Sequence, residues 1–348
     1  MRRQLAGWRA RMRSVGDRWA VIRAEWDVER ELERVVAGDA PILVGPWVSE
    51  VGYEVLYWVP FLRWVAAAYR IPAERLVVMS RGGTAGWYGS LAAQYVEVFD
   101  HASPADLARE AAAGRLKQRD VSDLDRRLMA AATSHLGLRE VNVLHPSLMF
   151  RWFAPFWSGH EGTGFVDRHT RFSRIDAADV DLPLALPSDY VALKLYTARA
   201  LPDGPVVRAQ LQGLVAALAQ RWPVVLLDTG LLVDDHADYD VAGPGRVVSL
   251  SGRLDPRTNL AAQTRIIAGA RLFVGTCGSL AWLAPMLGVA TIPVFTDDSF
   301  LHAHLHVARR VYQRLATPRF SPVDLSGVLD AGLAITTSDR LHAGARLS

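Results

Sequence analysis

The 348-residue sequence has a single cysteine, Cys277, so no disulfide can close within the chain and a cysteine-rich zinc site is excluded. It is nearly without lysine: apart from Lys117 and Lys194, and setting histidine aside, every basic residue is an arginine. No run of 18 apolar residues occurs, and the N-terminal "MRRQLAGWRARMRSVGDRWAVIRAEW" lacks the continuous apolar core of a signal peptide. With the lone cysteine, these absences point to a cytoplasmic protein in a reducing compartment. Charge of one sign is missing too. The 39 Lys and Arg are nearly balanced by 36 Asp and Glu, for a formal net charge of +3. The arginines are mixed with acids rather than drawn into a basic stripe with interleaved aromatics, which speaks against a nucleic-acid partner and leaves a small anionic substrate open. What the chain has is apolar bulk, 50% hydrophobic residues against 22% charged, enough for a well-buried fold whose length suits two domains.

The organisation is that of an α/β protein. Residues 1–38 read as a helical extension with Trp8, Met12, Trp19 and Ile22 as its apolar stripe, expected to pack across the domains, with peripheral membrane contact as the lesser alternative. From Pro41 short apolar runs alternate with helical stretches. "PILVGPW", "RLVVMS" and "VNVLHPS" are the expected strands of an N-terminal domain over 39–187. The prolines of "DLPLALPSD" mark a junction. Beyond it, over 188–325, come the strands "YVALKLY", "PVVLLDTG", "RVVSLSG", "RLFVGT" and "ATIPVF", with helices between them. The remainder, 326–348, reads as a tail, and the stretch after Pro322 as a short helix with a frayed end. Such alternation implies parallel sheets covered by helices, two Rossmann-like halves facing a central cleft.

In open parallel sheets ligands bind beyond the carboxyl ends of the strands, so the loops after the strands carry the candidates. "GTCGS" follows a strand and opens a helix. Gly275 and Gly278 let the backbone approach a ligand, Thr276 and Ser279 offer hydroxyls, and a helix start presents N–H groups to phosphate; the plain alternative is a tight turn capped by Ser279. "KLYTAR" places Lys194 at the end of an apolar strand, where it needs an anionic partner; with Arg199 it suggests a pyrophosphate clamp, unless an internal acid pairs it. Tyr196, beside it, and Asp228 and Asp297, after two further strands, complete the candidate donor-binding set. "SEVGYE" carries Glu50 and Glu54, either of which suits a general base toward a hydroxyl, or a helix-dipole partner. "SRGGTAGWYG" places Arg81 at the end of the second strand as an anion contact, with Trp87 and Tyr88 as a sugar-stacking surface or as core.

The run "NLAAQTRIIAGARLFVGTCGSLAWLAPMLGVATIPVF" resembles the donor-binding segment of GT-B glycosyltransferases, especially heptosyltransferase-like and protein O-fucosyltransferase-like enzymes. "GPWVSEVGYEVLYWVPFLRW" and "MSRGGTAGWY" are similar to bacterial proteins related to them. The resemblance implies GT-B architecture, a nucleotide-sugar donor, a glycan or other hydroxyl acceptor, and catalysis that requires no metal or other cofactor. It sets Gly275, Thr276, Gly278 and Ser279 at the donor-phosphate turn and Lys194 near the basic position of the strand opening the donor domain. That strand reads "LKLYTAR" where the fucosyltransferase pattern has His-x-Arg, so the nucleotide's base stays open. An epimerase or hydrolase on the same scaffold and a non-catalytic nucleotide-sugar or glycan-binding protein remain alternatives.

Two motifs look metal-like. "DDHADYD" at 234–240 lacks the glycine and terminal glutamate of a calcium loop and reads as a solvated acidic loop at the cleft rim. His302, His304 and His306 fall in a helical stretch, where only His302 and His306 share a face, which favours an acceptor-side or structural role over metal binding. Asp297 and His302 are the next candidates for the base after the two glutamates.

Overall fold

The computed structural model describes residues 26–115, 117–234, 236–241 and 246–327. The proposed stripe Trp8, Met12, Trp19 and Ile22, the membrane contact assigned to it, Asp235, and the chain beyond 327 lie outside the described residues. The end of the extension is a helix over 26–36 whose buried Val28, Leu32 and Val36 recur every four residues and so line one face. That face docks on the N-terminal half, where Asn142 Nδ2 donates to the Val35 carbonyl at 2.9 Å and Arg151 forks onto Glu31 at 2.6 and 2.7 Å.

The N-terminal half holds a parallel sheet of β1 (Ile42–Val44), β2 (Leu76–Ser80), β3 (Gln94–Glu97) and β4 (Asn142–Leu144), in the order β3-β2-β1-β4. β3 is the edge strand that the sequence concealed. Of its residues only Val96 is buried, so "QYVE" lacks the apolar run that betrays the inner strands. The C-terminal half holds β5 (Val191–Lys194), β6 (Val224–Leu226), β7 (Val247–Ser249), β8 (Leu272–Thr276), β9 (Thr291–Phe295) and β10 (Val323–Asp324), in the order β10-β9-β8-β5-β6-β7, again all parallel. β10 was not expected from the sequence: Val323 and Asp324 pair with Val294 and Phe295 and extend the sheet, while the short helix expected in "SGVLDAGLAITTSDRLHAGARLS" falls almost wholly outside the described residues. Between the helix Thr163–Arg168 and β5, the chain runs over 170–190 without helix or strand. The architecture is the expected α/β one, two parallel sheets in Rossmann-like halves. Among the described residues no helix is long and apolar enough to cross a membrane.

Strand order fixes where a ligand can sit. In the second sheet the chain winds from β5 through β6 to β7 on one side and from β8 through β9 to β10 on the other, so the connections diverge between β5 and β8. In the first sheet the corresponding point lies between β1 and β4. Divergent connections leave a crevice above the strand ends. The loop after β1 leads into Val51–Tyr53, a π turn over Glu54–Trp58, and then the helix Val59–Ala68. Pro60 has no N–H for the carbonyl four residues back, and the five-residue turn ahead of Val59 absorbs the misfit.

The halves share one core. A single apolar cluster joins Trp47, Trp58 and Phe153 of the first half to Phe273, Trp282 and Tyr312 of the second. Polar contacts cross as well: Trp87 Nε1 donates to Thr264 Oγ1 at 3.0 Å, and Ala261 N–H to the Gly82 carbonyl at 2.9 Å. Gly82 has φ +72, and a Cβ there would stand 2.9 Å from Leu260 Cγ and 3.1 Å from Asn259 Nδ2. Gly82→Ala is expected to lower the unfolding free energy by about 1–3 kcal/mol through left-handed strain and crowding at this seam. Urea denaturation followed by tryptophan fluorescence measures it, and an unchanged midpoint would show that the seam yields freely.

Candidate functional site

A cleft of about 300 Å³ lies between the carboxyl ends of the two sheets, at the lower end of the range for small-molecule sites. Val51 and Arg81 reach it from the N-terminal half. Lys194, Tyr196, loop residues 229–234 and 236–238, Asn259, Gln263 and Ser279 line it from the other. Of the predicted residues, Arg81, Lys194, Tyr196 and Ser279 therefore share one cleft.

The turn after β8 divides its labour. A Cβ on Gly275 would stand 2.7 Å from the Lys194 carbonyl and 2.8 Å from the Phe273 ring, so this glycine serves the contact between β5 and β8. Thr276 is buried, and its hydroxyl accepts from the Tyr196 amide and donates to the Tyr196 carbonyl, both at 2.9 Å, which splices the ends of the two strands. Gly278 precedes the helix Ser279–Met286 with φ +144, and a Cβ there would stand 2.9 Å from the Tyr196 hydroxyl. Ser279 itself has φ +39, an uncommon conformation for a residue with a side chain. No side-chain cap covers this helix start. Its first residues, Ser279 and Leu280, line the cleft, and a helix start, with its N–H groups and dipole, favours a negative charge.

The clamp of Lys194 with Arg199 is corrected. Lys194 Nζ donates to Asp238 Oδ1 at 2.6 Å and to the Leu227 carbonyl at 2.8 Å, so its counter-charge is internal. Arg199 is exposed, its guanidinium 4.9 Å from the Phe300 ring centre and its Nη2 3.4 Å from Ser299 Oγ; it is not among the residues lining the cleft. Asp297 accepts from the Ser299 amide at 2.8 Å, and its carboxyl is held below the usual carboxylate value chiefly by its hydrogen bond to the Ser299 side chain. Asp228 is likewise turned into the fold: its carboxylate accepts from Ser249 Oγ at 2.7 Å and Leu250 N–H at 3.0 Å, tying β6 to β7. Burial pushes its pKa up, against those hydrogen bonds.

On the opposite wall the two glutamates separate. Glu50 is half-buried, immediately before the cleft-lining Val51, and its charge helps raise the Tyr196 pKa across the cleft, an effect dominated by that phenol's burial. Glu54, in the π turn, has no exposed surface. Its Oε1 accepts from Ser80 Oγ and from Tyr88 OH, each at 2.6 Å, and its Oε2 is enclosed without a partner. Burial raises its pKa to about 7 against the pull of those hydrogen bonds and of Arg81. A base must reach the proton it takes, so Glu54 is withdrawn as the group that touches an acceptor. Arg81 is 3% exposed and donates from Nη2 to the Ser49 carbonyl at 2.8 Å. Trp87 and Tyr88 are core, not a stacking platform.

No protein-family model matches the sequence, and no curated protein matches it. Among solved structures, the chain is similar to the E. coli ADP-heptose lps heptosyltransferase II, over 88% of this chain and 99% of that one, at 12% identity and a TM-score of 0.46. It is similar to a glycosyl transferase family 9 protein of Veillonella parvula over 88% and 99%, at 9% identity and 0.47. The E. coli heptosyltransferase WaaC with ADP matches over 86% and 99%, at 15% identity and 0.43. Likenesses this distant assign no activity to this chain.

Sequence reasoning missed Asn259 and Gln263. Both are buried on the helix Asn259–Ala268, Gln263 Nε2 donates to Asn259 Oδ1 at 3.1 Å, and Gln263 Oε1 is enclosed without a partner. The signal was present: polar residues four apart in "NLAAQTRIIA" share a face with Leu260, Ile266 and Ile267 nearby, an amide pair where core was due. Of the "DDHADYD" segment, Asp234, His236, Ala237 and Asp238 line the cleft, with His236 Nδ1 2.9 Å from the Thr197 carbonyl. Among the described residues no three His, Cys, Asp or Glu side chains converge as a metal-binding set. His304 is the histidine of its trio that turns inward, Nδ1 2.6 Å from the Tyr57 hydroxyl, with burial and then the charge of Lys117 lowering its pKa to about 4. His302 and His306 are exposed.

Two outcomes are expected. Lys194→Ala strands Asp238 and should cost about 1.5–3 kcal/mol of stability, with much of it regained in Lys194→Ala/Asp238→Ala; a double-mutant cycle by urea denaturation reads the coupling, and strict additivity would deny the pair. Glu54 keeps its proton up to about pH 7 in the folded chain but only to 4.5 when unexposed surroundings are lost. Stability from this group is therefore complete below 4.5 and declines as pH rises toward 7. Glu54→Gln should flatten that segment of a stability profile, and an identical slope in both proteins would refute the raised pKa.

Proposed function

We propose that the chain is a cytoplasmic glycosyltransferase that takes a nucleotide-sugar donor in this cleft and passes the sugar to a hydroxyl acceptor approaching from the N-terminal half. The observation that carries the reading is the pairing of an uncapped helix start, Gly278–Ser279, with Arg81 on the facing wall. Amide donors and a fixed positive charge on two sides of one crevice suit a diphosphate, whose leaving charge grows as the glycosidic bond breaks. The buried amides of Asn259 and Gln263 add neutral donors and acceptors at the same end.

In this reading Glu50, half-buried beside the cleft-lining Val51, takes the acceptor's proton. The hydroxyl's pKa lies far above neutrality, so transfer gains from a base that removes the proton as the new bond forms. Protein groups alone supply charge stabilisation in this scheme, which needs no metal.

The test uses a panel of nucleotide sugars. A true donor at 100 times its dissociation constant should stabilise the fold by about 2.7 kcal/mol, seen as a raised thermal midpoint; silence across ADP-, UDP-, GDP- and dTDP-sugars would defeat the reading. Glu50→Gln should keep donor affinity while turnover falls roughly 100-fold to 10,000-fold, as judged by product formation. Full turnover in that variant moves the base elsewhere. Donor binding with no transfer or hydrolysis product in the parent protein would instead favour a binding protein.

A further inference from the structure

Two enclosed polar atoms near the N-terminal wall of the cleft have no partner: Nε of Arg81 and Oε2 of Glu54. The side chains are close enough that the guanidinium's charge lowers the carboxyl's pKa against its burial. Arg81 has five N–H donors, is 3% exposed, lines the cleft, and meets the Ser49 carbonyl with Nη2. One neutral acceptor is a small complement for a buried cation. Behind it, Ser80 Oγ and Tyr88 OH both donate to the same oxygen of Glu54, leaving Oε2 as the place for a proton.

The other charges around this pair are accounted for. Glu97, on β3, raises the Glu54 pKa slightly and is itself held by the amides of Gly82, Gly83 and Phe99. Tyr95 donates to Glu97 at 3.0 Å. Across the cleft, Lys194 is paired with Asp238, and Asp234 and His236 stand on the loop over 229–238. Glu50 lies at the start of the same loop-to-helix segment as Glu54.

We propose that Arg81 is the oxyanion contact of the N-terminal wall, taking a charged oxygen of a phosphate group, and that Glu54 is its positioning residue, which gains a proton from solvent on Oε2 when the anion binds. The proposal rests on the glycosyltransferase reading only for the presence of a phosphate-bearing ligand. While Arg81 faces Glu54 alone, its charge favours the carboxylate. An oxyanion on the guanidinium cancels that charge and adds a negative potential, so the carboxyl takes up a proton. Linkage is reciprocal: the protonated protein holds the anion more tightly, and affinity falls as pH rises through neutrality.

Isothermal titration with sodium sulfate tests this, at constant ionic strength, at pH 6, 7 and 8, and in two buffers of different ionisation enthalpy that reveal proton uptake. Sulfate keeps its charge over this range. Binding to the parent protein should take up a fraction of a proton and weaken with pH by up to about tenfold per unit. Glu54→Gln should bind sulfate with no uptake and a flat profile. Arg81→Gln should lose at least about tenfold in affinity. Tyr88→Phe removes one donor to Glu54 and should move the midpoint upward, a check that stands even if Glu54→Gln folds poorly. Persistent proton uptake in Glu54→Gln, loss of it in His236→Gln, unchanged affinity in Arg81→Gln, or no sulfate binding by the parent would each overturn the proposal. Sulfate behaving as expected while no nucleotide sugar binds would defeat the donor reading alone. Nucleotide-sugar affinity indifferent to Arg81→Gln would defeat the anion contact alone.

Discussion

At Gly52 the two halves of the chain come so close that a Cβ would stand 3.1 Å from the Ser279 amide nitrogen and 3.1 Å from Trp282 Cδ1. The same closeness recurs at Gly83, where a Cβ would meet Ala261 Cβ at 3.0 Å and the Arg257 carbonyl at 3.1 Å. These approaches, which side chains would prevent, set the depth of the cleft. They bring the helix start at Ser279 beneath the segment that carries Glu50 and Val51, and they seat the loop after β2 against the helix that carries Asn259 and Gln263. Arg81 then has its place on the wall because its neighbours Gly82 and Gly83 are pinned, by Glu97 on one side and by the second half on the other.

Behind that wall the first half is stiffened by a second buried polar set. Gln118 accepts from the amides of Val48 and Ser49 and donates to the Pro46 carbonyl and to Asp125, so one amide side chain fixes the loop leading to Glu50. Burial alone would raise the Asp125 pKa, but His145 and the Ser122 cap outweigh it and hold the carboxyl below its ordinary value. Both ends of the Gln118 amide are satisfied by these neighbours, the condition under which a buried polar contact rigidifies rather than destabilises.

Much of this was legible in the sequence. Inner strands such as β8 and β9 are buried along their whole length and announce themselves as apolar runs, and the glycine-marked turn at 275–279 was found because it joins such a strand to a helix. The rest depended on partners remote in sequence. Lys194 needed an acid, and nothing local named Asp238, 44 residues away, as that acid rather than a ligand phosphate. Glu50 and Glu54 look alike in "SEVGYE", yet the π turn ahead of Pro60 rotates the second one into the core, beside Ser80 at the end of β2 and Tyr88 at the end of the short helix Ala85–Tyr88. Asn259 and Gln263 were hidden by the apolar residues around them.

The continuous apolar cluster through Trp47, Trp58, Phe273 and Trp282 bears on how the molecule can move. Enzymes of two domains often breathe about a hinge, closing over a ligand as rigid bodies. Here such an opening would tear a shared core and expose several of the largest side chains in the protein to water, at a cost of many kcal/mol by area alone. The loop at the mouth of the cleft is itself held, by Val233 on the core of the first half and by His236 and Asp238 on the strand end at Lys194, and only the Leu232 side chain, 66% exposed, stands clear.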